Sequence, residues 1–92
     1  MDKLTNYHII IYGRVQGVGY RAFALKTARS LGLNGFVKNN PDGTVFIEAE
    51  GQESNLIKFL SICKSGPGWA YVERVEHSEF PTRPHTEFRV KY

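Results

Sequence analysis

The 92-residue sequence predicts an α+β fold of order βαββαβ, an antiparallel sheet with two helices on one face. Three observations carry that expectation. An apolar and aromatic run from Tyr7 to Gly13 precedes a stretch of helix formers. An alternation of apolar and polar residues from Thr44 to Glu50 follows the turn sequence Asn40-Pro41-Asp42-Gly43. A second amphipathic stretch, Ser54 to Lys64, is broken by Ser65-Gly66-Pro67-Gly68.

Residues 7 to 13, rich in β-branched Ile, read as a central strand covered on both faces. From Tyr20 to Leu31, Ala24, Ala28 and Leu31 recur at i, i+4 and i+7, and Gly32 stands where a helix is commonly terminated. Leu33 to Asn39 is a short second strand. It forms a hairpin with Thr44 to Glu50, in which Val45, Ile47 and Ala49 share one face and Glu48 and Glu50 the other, expected to be solvated. In the second helix, Leu56, Phe59, Leu60 and Cys63 form one apolar stripe, so the single cysteine is expected to be a packed thiol without a catalytic role. Tyr71 to Glu79 and Glu87 to Tyr92 supply the last extended segments. This order is the split βαβ or ferredoxin-like arrangement. It hosts many functions, so the chemistry has to be argued from a site.

Composition narrows the classes. At 10.5 kDa the chain is expected to be one small domain spanning 1–92 with a single core, since 41% of its residues are hydrophobic. One cysteine excludes an internal disulfide, and the longest apolar run, Ile9 to Tyr12, is far too short to cross a bilayer. A cytoplasmic protein without a membrane partner is expected. Twelve Lys and Arg against nine Asp and Glu leave a charge of +3, which suits a small anion and falls short of a nucleic-acid stripe.

The stretch YGRVQGVGYRAF, residues 12 to 23, joins the first strand to the first helix. There the first helical N–H groups lack partners and the helix dipole is positive, so the backbone alone can hold an anion. Gly13, Gly17 and Gly19 would let successive N–H groups converge without obstruction by Cβ atoms. Glycines by themselves favour a plainer reading, a turn beside a solvated arginine. Arg21, in the helix's first turn, adds a guanidinium that forks onto two phosphate oxygens.

The strand, helix and second strand form a crossover unit, so the first two strands run the same way and their C-terminal ends share an edge. The helix travels back roughly 15 Å, and Leu33 to Asn39 returns roughly 20 Å. Arg21 and Asn39 are therefore expected to meet. An amide carries both a donor and an acceptor, so Asn39 can hold a water in line with a bound phosphorus. A plain turn residue ahead of Asn40-Pro41 is the alternative reading.

Other motifs weigh less. Gly17 to Ala22 fits G-x-G-x-x-[G/A], with Asp42 near the offset of a ribose-binding acid, but Asp42 lies in a turn and the chain is too short for a dinucleotide crevice. His8, His77 and His85 lack metal-ligand spacing, so no metal is expected. An RNA-binding module of the same fold would need sheet aromatics in a pattern that Asn34-Gly35-Phe36-Val37 matches only faintly.

The segments GRVQGVGYRAF and LGLNGFVKNNPDGTVFIEAEG resemble the acylphosphatase family from about Ile9 to Gly51, with a weaker echo in VERVE and FRVKY. The resemblance implies a ferredoxin-like fold, hydrolysis of the carboxyl–phosphate bond of small acyl phosphates, and no cofactor. It implies that Arg21 binds phosphate, that Asn39 positions the water, and that Arg14, Val15, Gln16, Gly17, Val18, Gly19 and Tyr20 form the phosphate-binding loop. Tyr20 stands where phenylalanine is usual and Lys38 where arginine is common; neither is one of the two catalytic side chains. The same architecture occurs as a domain of the carbamoyl-transferring hydrogenase maturation protein. Intact Arg21 and Asn39, in a chain that starts at Met1 and closes after one domain, favour a free, monomeric enzyme, with small acyl phosphates and no nucleic acid as partners.

Overall fold

A computed structural model describes residues 2–92. The elements are β1 (Leu4–Arg14), α1 (Tyr20–Ser30), β2 (Asn34–Asn39), β3 (Val45–Gln52), α2 (Glu53–Ser65), β4 (Tyr71–Phe80) and β5 (Phe88–Val90). They form one sheet of order β4-β1-β3-β2-β5. β1 and β2 both pair antiparallel to β3 and therefore run the same way, as the crossover argument requires. β4 is antiparallel to β1, while the three-residue β5 pairs parallel to β2. The sheet is thus mixed rather than wholly antiparallel, because the chain returns from one edge to the other before it adds its last strand.

Both helices cover one face, α2 against β1, β3 and β4, and α1 against β2 and β5. Between the layers lie Ile9, Ile11, Val37, Val45, Ile47 and Ala49 from the strands, with Ala24 and Ala28 from α1 and Leu56, Phe59 and Cys63 from α2, all fully buried. The odd residues of β3 face this core because side chains alternate along a strand. Burial pushes the Cys63 thiol up to about 12, so it stays protonated and inert, as its position in the apolar stripe predicts.

The opposite face of the sheet departs from expectation. Glu48 and Glu50, expected to be solvated, are 2% and 6% exposed. The cause is the chain between β4 and β5, which crosses that face. Arg83 N–H donates to Glu50 Oε1 at 2.6 Å, and His85 Nε2 lies 2.5 Å from Glu48 Oε2. From β1, Asn6 Nδ2 donates to both carboxylates at 3.1 Å, and His8 Nε2 lies 3.2 Å from Glu48 Oε1. β1 itself is covered unevenly: on this face Asn6 is buried, but His8, Ile10 and Tyr12 remain half-exposed.

Burial alone would raise the Glu48 pKa, yet hydrogen bonds from His85 and Asn6 and the charge of Arg83 hold it below the ordinary glutamate value. A carboxylate depressed in the folded state stabilises it above the unfolded pKa, and that contribution is lost as pH falls through the folded value. Glu48→Gln is therefore expected to cost about 2 kcal/mol at neutral pH, the scale of hydrogen bonds to a buried charge. The deficit should shrink in acid. Urea unfolding of both proteins at neutral pH and near pH ~3 checks this, and a constant difference would contradict it.

Candidate active site

β1 ends at Arg14 and α1 starts at Tyr20, leaving residues 15 to 19 as the loop. Gly17 and Gly19 adopt left-handed conformations, φ 73° and 80°, which side chains with a Cβ rarely tolerate. Gly19 is the N-cap of α1; no side chain caps the helix, and its first turn holds no acidic residue. Helix pairing begins with Phe23 N–H donating to the Gly19 carbonyl at 3.1 Å. The earlier N–H groups and the positive end of the dipole are thus left to an anion.

Gly13 serves a different purpose from the loop glycines. It lies within β1, where the register with β4 shifts between Tyr12 and Gly13, and a Cβ there would come 2.1 Å from the Tyr71 carbonyl oxygen. Its absent side chain admits the neighbouring strand rather than an anion.

Arg21 and Asn39 are brought to one cavity. With Val15, Gly17, Gly19 and Tyr20 they line one cavity of about 240 Å³. Asn39 is the last residue of β2, and its Oδ1 is buried without a hydrogen-bond partner. Such an orphaned acceptor is uncommon, and here it belongs to a residue of the cavity wall. The Arg21 guanidinium lies 4.8 Å from the Tyr92 ring centroid, a cation–π contact. Tyr92 also lines the cavity, a neighbour that local sequence had no means of indicating.

The other loop residues divide by role. Val15 is buried in the core, and Val18 packs against it. Gln16 Nε2 donates to the carbonyls of Asn40 and Thr44 at 2.7 and 2.8 Å, tying the loop to the turn that follows Asn39. Tyr20 is buried, and its hydroxyl donates to the Cys63 carbonyl at 2.8 Å. Burial raises its pKa far above the ordinary phenol value, so it stays neutral. Arg14 does not join Arg21: it lies in β1 opposite Tyr71 and lines a second cavity with Tyr12, Asp42 and Tyr71.

Asp42 is engaged in its own turn. Its Oδ1 accepts from Thr44 Oγ1 at 2.6 Å and from Thr44 N–H at 3.0 Å, contacts that lower its pKa. Asp42 thus serves its own turn, the position that counted against a ribose-binding role. Among the described residues, no group of three or more His, Cys, Asp or Glu is arranged to hold a metal ion. No helix of the described residues is long and apolar enough to cross a membrane.

The chain is a two-layer α+β domain in which glycine loop, helix N-terminus and arginine converge on one cavity, an arrangement suited to an anion. A model of the acylphosphatase family matches residues 7–90. An acylphosphatase of Archaeoglobus fulgidus is 49% identical over 84 residues, covering 91% of this chain and 94% of the relative. The crystal structure of acylphosphatase from Bacillus subtilis superposes with a TM-score of 0.93 at 40% identity, covering 98% of this chain and all of that one. HypF of T. kodakarensis superposes with a TM-score of 0.83 at 34% identity over 96% of this chain, which corresponds to 12% of that longer chain. This chain belongs to the acylphosphatase family and is an enzyme of acyl phosphate hydrolysis with the ferredoxin-like fold.

Proposed function

We propose that the protein hydrolyses small acyl phosphates by direct attack of a water positioned by Asn39, with the phosphate held by Arg21 and the loop amides. It acts without a cofactor, as a cytoplasmic monomer. The placement of Asn39 and Arg21 in the wall of one cavity beside the glycine loop is the observation that carries this reading. Asn39 lines the cavity shared with Arg21, and its amide, with both a donor and an acceptor, can hold a water there with an oxygen lone pair directed at phosphorus.

In the reaction a water oxygen bonds to phosphorus while the bond from phosphorus to the carboxyl oxygen breaks, giving a carboxylate and inorganic phosphate. Charge on the equatorial oxygens is met by the Arg21 fork and by N–H groups at the start of α1, groups already oriented before the transition state forms. A carboxylate leaves readily and needs no proton. Cys63 is buried and protonated, which argues against a covalent thiol intermediate.

Substrate selectivity tests the reading. The protein is expected to turn over benzoyl and acetyl phosphates and to leave p-nitrophenyl phosphate nearly untouched, because nothing in the proposed machinery protonates or otherwise assists a poorer leaving group. Comparable kcat/KM for benzoyl phosphate and p-nitrophenyl phosphate would refute it. A non-catalytic role, the alternative raised by the likeness to one part of HypF, predicts turnover of neither.

A further inference from the structure

Trp69 is the chain's single tryptophan, and the residue is 67% exposed. It occupies the turn between α2 and β4, closed by Ala70 N–H donating to the Pro67 carbonyl at 3.1 Å. The indole lies against the loop instead of the core. Its Nε1 is 3.5 Å from the point where a Cβ on Gly19 would stand, and Gly19 is the residue that opens α1. A large apolar ring left in water beside an anion-binding loop buries little in the fold itself, so its contact surface is available to a ligand.

The sheet order gives that position a meaning. Asn39 ends β2 and Trp69 precedes β4, and the order β4-β1-β3-β2-β5 puts these two strands on opposite sides of β1, whose end leads into the loop, and its neighbour β3. In an in-line displacement the attacking and leaving oxygens lie on opposite sides of phosphorus. With the water at Asn39, the acyl group points toward the β4 side.

We propose that Trp69 is a specificity-determining residue whose indole contacts the acyl group, favouring flat aromatic acyl phosphates over acetyl phosphate. The inference rests on the reading of Asn39 as the water-positioning residue. A Cβ on Gly19 would stand in van der Waals contact with the indole Nε1, so the bare glycine leaves that face of the ring free.

The test uses the intact chain, with kcat/KM measured for benzoyl and acetyl phosphate in the wild type, Trp69→Ala, Trp69→Phe and Tyr92→Ala. Trp69→Ala is expected to reduce the benzoyl-to-acetyl preference about fivefold, mainly through KM, and Trp69→Phe to retain most of it. Competitive inhibition by inorganic phosphate should change less than about twofold in Trp69→Ala, which also shows that the loop is intact. As the only indole, Trp69 gives a second readout: its fluorescence should change saturably with a benzoylphosphonate, competed by inorganic phosphate, and barely with phosphate alone. An unchanged preference in Trp69→Ala, or a shift found only in Tyr92→Ala, would overturn the assignment while leaving acyl phosphate hydrolysis standing. A wild type that hydrolyses neither substrate would instead overturn the catalytic reading and the inference with it.

Discussion

Asn39→Ala is expected to lower kcat about a hundredfold or more while inorganic phosphate still binds as a competitive inhibitor. The size follows from what the amide is proposed to supply: orientation of a nucleophile, whose loss typically costs that much even for small displacements. The separation of effects follows from position. Asn39 ends β2, whereas the groups assigned to phosphate belong to the loop, to α1 and to Arg21, and the alanine leaves all of these in place. Reaction in ¹⁸O-labelled water should put the label into phosphate, because in the proposed reaction water attacks phosphorus and no side chain is acylated. Label in the carboxylate, or phosphate affinity that falls as steeply as kcat, would show that Asn39 does something else.

Arg21→Lys is expected to lose about 3 kcal/mol of transition-state stabilisation, roughly a hundredfold in kcat/KM, although the charge is kept. An ammonium is a point charge and cannot reproduce two parallel contacts to two phosphate oxygens. Arg21→Ala should go further and weaken phosphate binding together with turnover, since it removes the ground-state contact as well. Inhibition by inorganic phosphate, measured beside kcat/KM for both variants, distinguishes the two effects. A lysine variant within a few-fold of wild type would mean that the cation–π contact with Tyr92 is the main business of Arg21.

The residues that carry the fold could be read because their signals are local. Ala24, Ala28 and Leu31 report one helical face, and Val45, Ile47 and Ala49 one strand face, so the element order followed. The meeting of Arg21 and Asn39 was also legible, because a helix and a strand of known rise per residue bring the second strand back to the end of the first. Glu48 and Glu50 show the limit. Alternation reveals that their face differs from the apolar one, but whether a distant segment covers it depends on Arg83 and His85, which no local period connects to β3. The parallel docking of β5 and the Tyr92 ring at Arg21 escaped for the same reason. Gly13 was misassigned to the loop because a glycine admitting a neighbouring strand and a glycine opening an anion site look alike in sequence.

The two hydrogen bonds from Gln16 to the turn after Asn39 bear on the kinetics of encounter as well as on geometry. Enzymes that fold a mobile lid over their substrate add an isomerisation to each turnover, and opening often limits the rate. Here the loop proposed to receive the phosphate is fastened through Gln16 to the turn that follows Asn39 in the opposite wall. On the proposed reading a substrate would meet a frame already tied together, so capture is expected to follow diffusion and charge, without a gating step at release.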